Sequence, residues 1–165
     1  MANKLDIEWC WREFDDLSNS ELYQLLKLRQ DVFVLEQNCL YADLDGEDYY
    51  HWHLLGYDMD SESSFAGEHL AAYLRLIPPD HHESGCVTLG RVVTDPQYRG
   101  FGLGYQLIEQ ALQFCDKQYP GMVVFLSAQE HLEDFYKSFG FSTVSDMYLE
   151  DDIPHIDMKK IPKFN

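Results

Sequence analysis

Three glycines at alternate positions stand between two segments of different periodicity. Gly100, Gly102 and Gly104 follow the mostly apolar run CVTLGRVVTDP, which Pro96 ends, and they precede a segment reaching Lys117 with apolar residues at helical spacing. Glycine permits a tight turn and leaves backbone N–H groups uncovered by side chains. Because N–H groups at the start of a helix attract anions, the pattern predicts either a cradle for a phosphate group or an ordinary glycine-rich turn.

The rest of the chain has the pattern of an α/β domain. Aromatic and β-branched residues predict strands at residues 7–14, 51–59, 69–79, 86–96, 120–128, 143–150 and 155–161. Apolar periodicity predicts helices at residues 18–37, 102–117 and 131–141. Ser18 and Glu21 have capping-box spacing at the start of the first helix, and the polar residues 60–68 predict a turn. Since no composition change marks a linker, we expect residues 1–165 to form one domain around a mixed sheet.

Charge and cysteine usage exclude several classes of protein. With 29 acidic residues against 12 lysines and arginines, the net charge of −17 argues against a nucleic-acid partner, which needs clustered cations. No apolar run approaches the roughly 18 residues of a membrane span, so we expect no membrane association. The four cysteines lie far apart without a Cys-x-x-Cys pair, which predicts reduced thiols in the cytoplasm and no metal site.

Two motifs give the glycine pattern a specific meaning. Arg99 begins a match to Arg/Gln-x-x-Gly-x-Gly/Ala, and Tyr136 begins a match to Tyr-x-x-x-Gly-Phe in the segment FYKSFGF. In this order and at this separation they resemble the GNAT N-acetyltransferase superfamily. The segments LRQDVFVLEQNCLYADLDGED, GRVV and EDDIPHIDM resemble its ElaA-like branch. The resemblance implies a single domain with a mixed, mostly antiparallel central sheet flanked by helices, and acetyl-CoA as the acyl donor.

The resemblance also assigns roles to residues. The strand backbone at Val92, Val93 and Thr94 would face the pantetheine arm, and Tyr136 would protonate the departing CoA thiolate. Gln129 stands where many members have a cofactor-binding asparagine. The residues that would wrap the pyrophosphate are Arg99, Gly100, Phe101, Gly102, Leu103 and Gly104.

The general base is not fixed by the motifs. Some members carry a glutamate where this chain has Val124, and another subgroup carries one where it has Cys86. Attack by a primary amine still requires loss of a proton, since its pKa near 10 keeps it protonated at pH 7. The candidates for the base are Glu36, His53, Asp45 and His155.

Charged residues before the glycine motif predict the acceptor side. Arg75 and Arg91 interrupt apolar strand runs, so each is expected to meet a carboxylate, with Glu36 and Asp45 as the expected partners. Together with His53, these four residues form the predicted acceptor site. The acidic stretch 43–48 either selects a cationic amine or is a solvated loop.

The sequence therefore predicts an acyl-CoA-dependent N-acyltransferase that transfers acetyl to a primary amine by direct attack. The catalytic residues would be Tyr136 with Glu36 or His155, and the acceptor would be a cationic small-molecule or peptide amine. Cys39 is an alternative acyl-carrying nucleophile. A different class, a module that senses acetyl-CoA or binds a protein without turnover, stays open, and the protein is expected to be a monomer or homodimer.

Overall fold

The computed structural model describes residues 5–60, 69–82 and 84–162, and these residues form one eight-stranded sheet. The predicted turn at 60–68 lies outside the described residues apart from Asp60. The strands are β1 (Ile7–Glu13), β2 (Trp52–Asp58), β3 (His69–Ile77), β4 (Val87–Thr94), β5 (Val124–Gln129), β6 (Ser142–Thr143), β7 (Tyr148–Glu150) and β8 (Ile153–Lys160). Their order is β1-β2-β3-β4-β5-β8-β6, with β7 also paired to β8. Among these described strands only β4 and β5 run parallel, so the prediction of a mixed, mostly antiparallel sheet is confirmed.

Three α-helices flank this sheet in the described residues: α1 (Asn19–Arg29), α2 (Leu103–Gln118) and α3 (Glu133–Lys137). The capping box at the start of α1 is confirmed, because Glu21 N–H donates to Ser18 Oγ at 3.1 Å and Ser18 N–H donates to Glu21 Oε2 at 2.8 Å. Short 3₁₀ turns occupy Phe14–Asp16, Asp48–Tyr50, Pro79–His81, Pro96–Tyr98 and Glu130–Leu132. Within the described ranges no helix is long and apolar enough to cross a bilayer.

The helix predicted at residues 18–37 changes type halfway. After Arg29 the backbone continues as a π-helix over Gln30–Glu36, which the apolar spacing did not predict. The wider turn ends at Glu36 beside the glycine loop, where that side chain contacts Arg99. Because π-helical turns are often associated with functional sites, this segment marks the region of interest.

The strand predicted at residues 143–150 is also wrong, since β6 and β7 are separate. Between them, Ser145 Oγ accepts the backbone N–H of Asp157 at 2.8 Å. A serine side chain that accepts a backbone N–H replaces one of the hydrogen bonds that would otherwise join the two strands. The result is a two-residue strand, a short irregular connection and a second strand on β8.

The two faces of the sheet bury different helices. Leu54 and Leu74 pack in the cluster that contains α2, whereas their neighbours Leu55 and Tyr73 pack in the cluster that contains α1. This is the alternation expected when successive side chains of a strand point to opposite faces. The helix with the glycine-rich start and the helix with the π-helical end therefore lie on opposite sides of the same strands.

Strand β4 departs from regular geometry at its centre. Arg75 of β3 pairs with Gly90 and Tyr73 pairs with Val93, so one residue of β3 opposes two of β4. Arg91, at this bulge, has a φ of +52°, an uncommon conformation for a residue with a side chain. A bulge bends its strand, and β4 pairs with β5 only through residues 87 and 88 before the two diverge.

A buried arginine holds the loop after the π-helix against the sheet. The Arg29 side chain is fully buried, and it donates from Nε to Asp43 Oδ2 and from Nη1 to Asp48 Oδ1, both at 2.8 Å. Its guanidinium also lies 5.9 Å from the centroid of the Tyr73 ring. Arg29 stands in the apolar stripe of α1 with Leu25, which is the sequence signal that could have identified it.

Arg75 and Arg91 extend the same network. Arg75 donates to Asp45 at 2.7 and 2.9 Å and to Asp48 at 2.9 Å, and Arg91 donates from Nε to Asp43 at 2.7 Å. Burial alone would raise the pKa of Asp45, but the hydrogen bonds from Arg75 outweigh it and hold this pKa well below its usual range. The expectation that each strand arginine meets a carboxylate is confirmed for Asp45, whereas Glu36 pairs with neither of them.

The network predicts a strong effect of one substitution in α1. Arg29→Met should lower the free energy of unfolding by about 3–5 kcal/mol, because it leaves two buried carboxylates short of a partner. Lys27→Met, on the same helix, breaks an exposed pair with Asp31 and should cost less than about 1 kcal/mol. Urea titrations followed by tryptophan fluorescence measure both values, and equal losses would contradict the structural role of Arg29.

His51 predicts how stability depends on pH. Its side chain is buried, no group in the described part of the chain bonds either ring nitrogen, and burial lowers its pKa to about 4. Between pH 6.5 and 4 the unfolded chain therefore binds a proton that the folded chain does not, so stability falls as pH falls. From pH 7 to 5 this contributes about 2 kcal/mol, at 1.36 kcal/mol per unit. His51→Phe should remove that part of the decrease in urea titrations at the two pH values, and an unchanged decrease would refute it.

Candidate active site

Two cavities meet along the second half of β4. The cleft cavity, of about 810 Å³, lies between the diverging strands β4 and β5, and the loop cavity, of about 540 Å³, lies against the glycine loop and the start of α2. The residues that line both are Val92, Val93, Thr94, Arg99, Leu132 and Tyr136. A ligand that follows β4 would therefore pass from one cavity into the other.

The glycine loop forms one wall of the loop cavity. Gly100 and Gly102 have φ values of +84° and +76°, which favour glycine, and Gly102 is the residue before α2. A Cβ atom at either position would meet nothing within 4 Å, so the backbone conformation and not crowding requires glycine there. The first N–H groups of a helix have no partner within it, so the start of α2 can bind an anion.

Most of the residues predicted to bind the donor line this cavity. Val92–Thr94, Arg99, Gly100 and 102–104 are all among its lining residues. Phe101 is not, and its side chain is more than half exposed. Gln129 lines the cleft cavity instead, where its side-chain amide donates to Gln37 at 3.4 Å.

Tyr136 stands where the two cavities join. It lies in α3 and is buried, with its ring 5.0 Å from that of Phe135 and 6.0 Å from that of Phe141 between centroids. Burial raises the pKa of Tyr136, so its hydroxyl keeps its proton at neutral pH. The residue can therefore donate a proton to a group at the junction.

His155 lines the cleft cavity. Its Nδ1 lies 2.8 Å from the carbonyl oxygen of Ile153, and because a carbonyl only accepts, this nitrogen carries the proton. In the neutral ring Nε2 then holds the lone pair, and it lies 3.6 Å from Glu150 Oε2. Nε2 can therefore accept a proton, and the Glu150 carboxylate beside it would stabilise the imidazolium that forms. Glu150 was not among the residues predicted from the sequence.

The hairpin between β7 and β8 places Glu150 beside that ring. Asp151 and Asp152 form its turn with φ values of +49° and +62°. Two central residues of positive φ are typical of the tight hairpin turn that matches strand twist, and aspartate is among the residues that tolerate it. The turn pairs Glu150 directly with Ile153, two residues before His155.

The remaining candidates for the base are placed differently. His53 does not belong to the site, because it is fully buried, bonds Tyr73 and the Asp48 carbonyl through its two nitrogens, and lines neither cavity. Asp45 lines the cleft cavity but is held by Arg75 and Arg91.

Glu36 also lines the cleft cavity, and its Oε1 lies 2.9 Å from Arg99 Nη1. Its pairing with Arg99 corrects the prediction that it meets Arg75 or Arg91. The predicted acceptor site is thus only partly assembled. Of its members, Glu36, Asp45, Arg75 and Arg91 line the cleft cavity.

Cys39 lines the cleft cavity without the features of a nucleophile. Its thiol donates to the carbonyl oxygen of Asp151 at 3.6 Å. Desolvation, together with the charges of Asp151 and Asp152, raises the pKa of this thiol. Since the thiolate is the reactive form, these surroundings oppose an acyl-cysteine intermediate.

Splayed parallel strands, a glycine loop at a helix start and a buried tyrosine at the junction define a class, that of acyltransferases of the GNAT fold. Residues 63–162 match the family model described as an acetyltransferase (GNAT) domain. Protein ElaA of Escherichia coli K12 is 42% identical over 156 residues, covering 93% of this chain and 96% of ElaA. The chain therefore belongs to the GNAT acetyltransferase family, within its ElaA-like branch.

Solved structures agree with this assignment. An acyl-CoA N-acyltransferase from Pseudomonas aeruginosa superposes with a TM-score of 0.84 at 43% identity, covering 94% of this chain and 99% of that one. Escherichia coli ElaA superposes with a TM-score of 0.82 at 40% identity, covering 93% and 99%. The fold of this branch is thus shared along nearly the whole chain.

Proposed function

We propose that the protein transfers an acetyl group from acetyl-CoA to a primary amine by direct attack. The observation that carries this proposal is the meeting of the two cavities along β4, with Tyr136 at their junction. One cavity suits the donor and the other the acceptor. The Pseudomonas aeruginosa relative, described as an acyl-CoA N-acyltransferase, supports the donor class.

The donor would lie along the free edge of β4. Pairing with β5 ends at Thr88, so β5 does not occupy the backbone groups of Val92–Thr94 on that side. A pantetheine arm carries amide groups that can pair with such an edge, as an added strand does. Its pyrophosphate would then reach the N–H groups at Gly100–Gly104 and the side chain of Arg99.

The chemistry requires the protein to take a proton from the attacking nitrogen and to give one to the leaving sulfur. The ammonium would first lose one proton to solvent, and as the lone pair of the neutral amine attacks the thioester carbonyl carbon, His155 Nε2 would accept a second proton from that nitrogen. The carbon–sulfur bond breaks, and the thiolate takes the proton of the Tyr136 hydroxyl. Proton exchange through solvent would then return His155 and Tyr136 to their starting forms. No covalent enzyme intermediate is needed, in agreement with the raised pKa of Cys39.

The acceptor would be a small-molecule or peptide amine with positive charge. The stretch 43–48 does not supply the selecting charge, because Asp43 and Asp48 are buried in pairs with arginines and Asp45 is held by two of them. The carboxylates that line the cleft cavity without an arginine of the network are Glu36, Glu150 and Asp151. The alternative role of residues 43–48, a structural loop, is the one that these contacts support.

Thiol release from acetyl-CoA in the presence of an amine panel tests the proposal. Diamines, aminoglycosides, amino acids and peptides with a free N-terminus cover the classes that fit a cleft of this charge. We expect turnover with at least one of them. Calorimetric binding of acetyl-CoA without turnover of any amine would instead favour a sensing module on the same fold.

Tyr136→Phe should reduce kcat by roughly 10²-fold or more, since general acid catalysis typically contributes 10²–10⁴. The Kd of CoA should stay within about twofold, because only a hydroxyl is removed. Tyr119→Phe, a half-buried tyrosine outside both cavities, is the matched control and should keep kcat. Thiol-release assays give kcat, and calorimetry gives the Kd of CoA. Equal kcat values for Tyr136→Phe and the control would show that Tyr136 is not the acid.

His155→Gln should lower kcat/KM by roughly 10²-fold and change its pH profile. In the wild type both the amine and the base must be deprotonated, so at low pH log(kcat/KM) should rise with a slope of about 2 per pH unit. In the variant only the amine titrates, and the slope should fall to about 1. A variant that keeps the wild-type slope would show that the base lies elsewhere.

A further inference from the structure

One ion pair joins the two cavities. Arg99 Nη1 lies 2.9 Å from Glu36 Oε1, which ties the end of the π-helix to the glycine loop. Arg99 lines both cavities, and Glu36 lines the cleft cavity. Their side chains are 44% and 40% exposed, so water competes for both partners and the pair is weak.

Arg99 is also the cation on which the donor side depends. Among the described residues that line the loop cavity, it is the only lysine, arginine or histidine. The other two arginines of the cleft cavity, Arg75 and Arg91, are committed to aspartates of the buried network. A pyrophosphate at the glycine loop would therefore compete with Glu36 for one partly exposed guanidinium, because phosphate and carboxylate oxygens both accept charge-assisted bonds from arginine.

We propose that Arg99 exchanges partners during the reaction, leaving Glu36 for the pyrophosphate of the donor. Glu36 then becomes an unneutralised carboxylate at the cleft cavity and binds the ammonium group of the acceptor. This inference rests on the proposed function and adds to it a specificity residue whose charge is available only in the donor complex. Because coupling between two binding sites is reciprocal, the acceptor must in turn tighten the donor.

Asp45 shows why the exchange is confined to Glu36. Asp45 also lines the cleft cavity, but it receives hydrogen bonds from both Arg75 and Arg91, neither of which lines the loop cavity. A pyrophosphate at the glycine loop would therefore not compete with Asp45 for Arg75 or Arg91. Asp45 should therefore stay paired whether or not the donor is bound.

Calorimetric titration with CoA tests the first half of the exchange. Glu36→Gln removes the internal competitor, so the variant should bind CoA roughly two- to fivefold more tightly, the range that an exposed ion pair can supply. Glu109→Gln is the control, since it removes one negative charge from an exposed position of α2 that lines neither cavity. The gain of Glu36→Gln over this control should shrink at high salt and vanish in an Arg99→Gln background.

Two results of this titration would each contradict a proposal. If Glu36→Gln binds CoA no more tightly than Glu109→Gln, Arg99 does not exchange. If the wild type binds no CoA at all, the proposed function itself fails, and the exchange fails with it.

Binding of 1,4-diaminobutane, measured with and without saturating CoA, tests the second half. The wild type should bind this diamine several-fold more tightly in the CoA complex, because the complex exposes the Glu36 carboxylate. Glu36→Gln should lose that gain, whereas Glu109→Gln should keep it. An equal gain in the wild type and Glu36→Gln would show that the released carboxylate does not receive the amine.

Discussion

The limited pairing between β4 and β5 is the constraint from which the site follows. The strands share only the pairs at residues 87 and 88, and beyond them the bulge at Arg91 bends β4 away. The left-handed conformation of Arg91 costs roughly 1–2 kcal/mol, because its Cβ crowds the following carbonyl oxygen. Its ion pairs with Asp43 and Asp45 hold the side chain in place and oppose relaxation of the bulge. The strained residue, the buried network and the gap between the strands are thus parts of one arrangement.

This arrangement also explains how a chain of net charge −17 can provide a site for an anion. Three aspartates beside the cleft are neutralised by three arginines, so the local potential is set by the few charges that remain unpaired. The glycine loop adds N–H groups, whose partial charges do not depend on net charge. The field of acidic residues farther from the site is screened over about 8 Å at physiological ionic strength. The potential at the loop therefore depends mainly on the groups close to it.

The sequence predicted the parts of the molecule that depend on local pattern. The glycine loop, the capping box at Ser18, the strands around Arg75 and the order of the elements follow from residue periodicity and turn chemistry. It did not predict which carboxylate meets which arginine, because that depends on how residues 43–48 fold over the sheet. His53 was misplaced for a similar reason: its strand was predicted, but its face of the sheet depends on register. Glu150 was missed because a two-residue turn of Asp151 and Asp152 brings it to His155. That turn lacks the glycine that usually identifies a tight hairpin in a sequence.

The positions of the two proposed catalytic groups, Tyr136 and His155, agree with the geometry of acyl transfer. The acid acts on the leaving sulfur and the base acts on the attacking nitrogen, and both of these atoms are bonded to one carbonyl carbon during the reaction. The two groups must therefore lie apart but within reach of that carbon. Tyr136 borders both cavities. A group that protonates the sulfur of the donor while the acceptor attacks must have this position. His155 borders the cleft cavity, where the attacking amine would lie, and it does not border the loop cavity. The buried tyrosine keeps its proton because burial disfavours the phenolate. The carbonyl oxygen of Ile153 accepts from Nδ1 of His155, so in the neutral ring the lone pair is on Nε2.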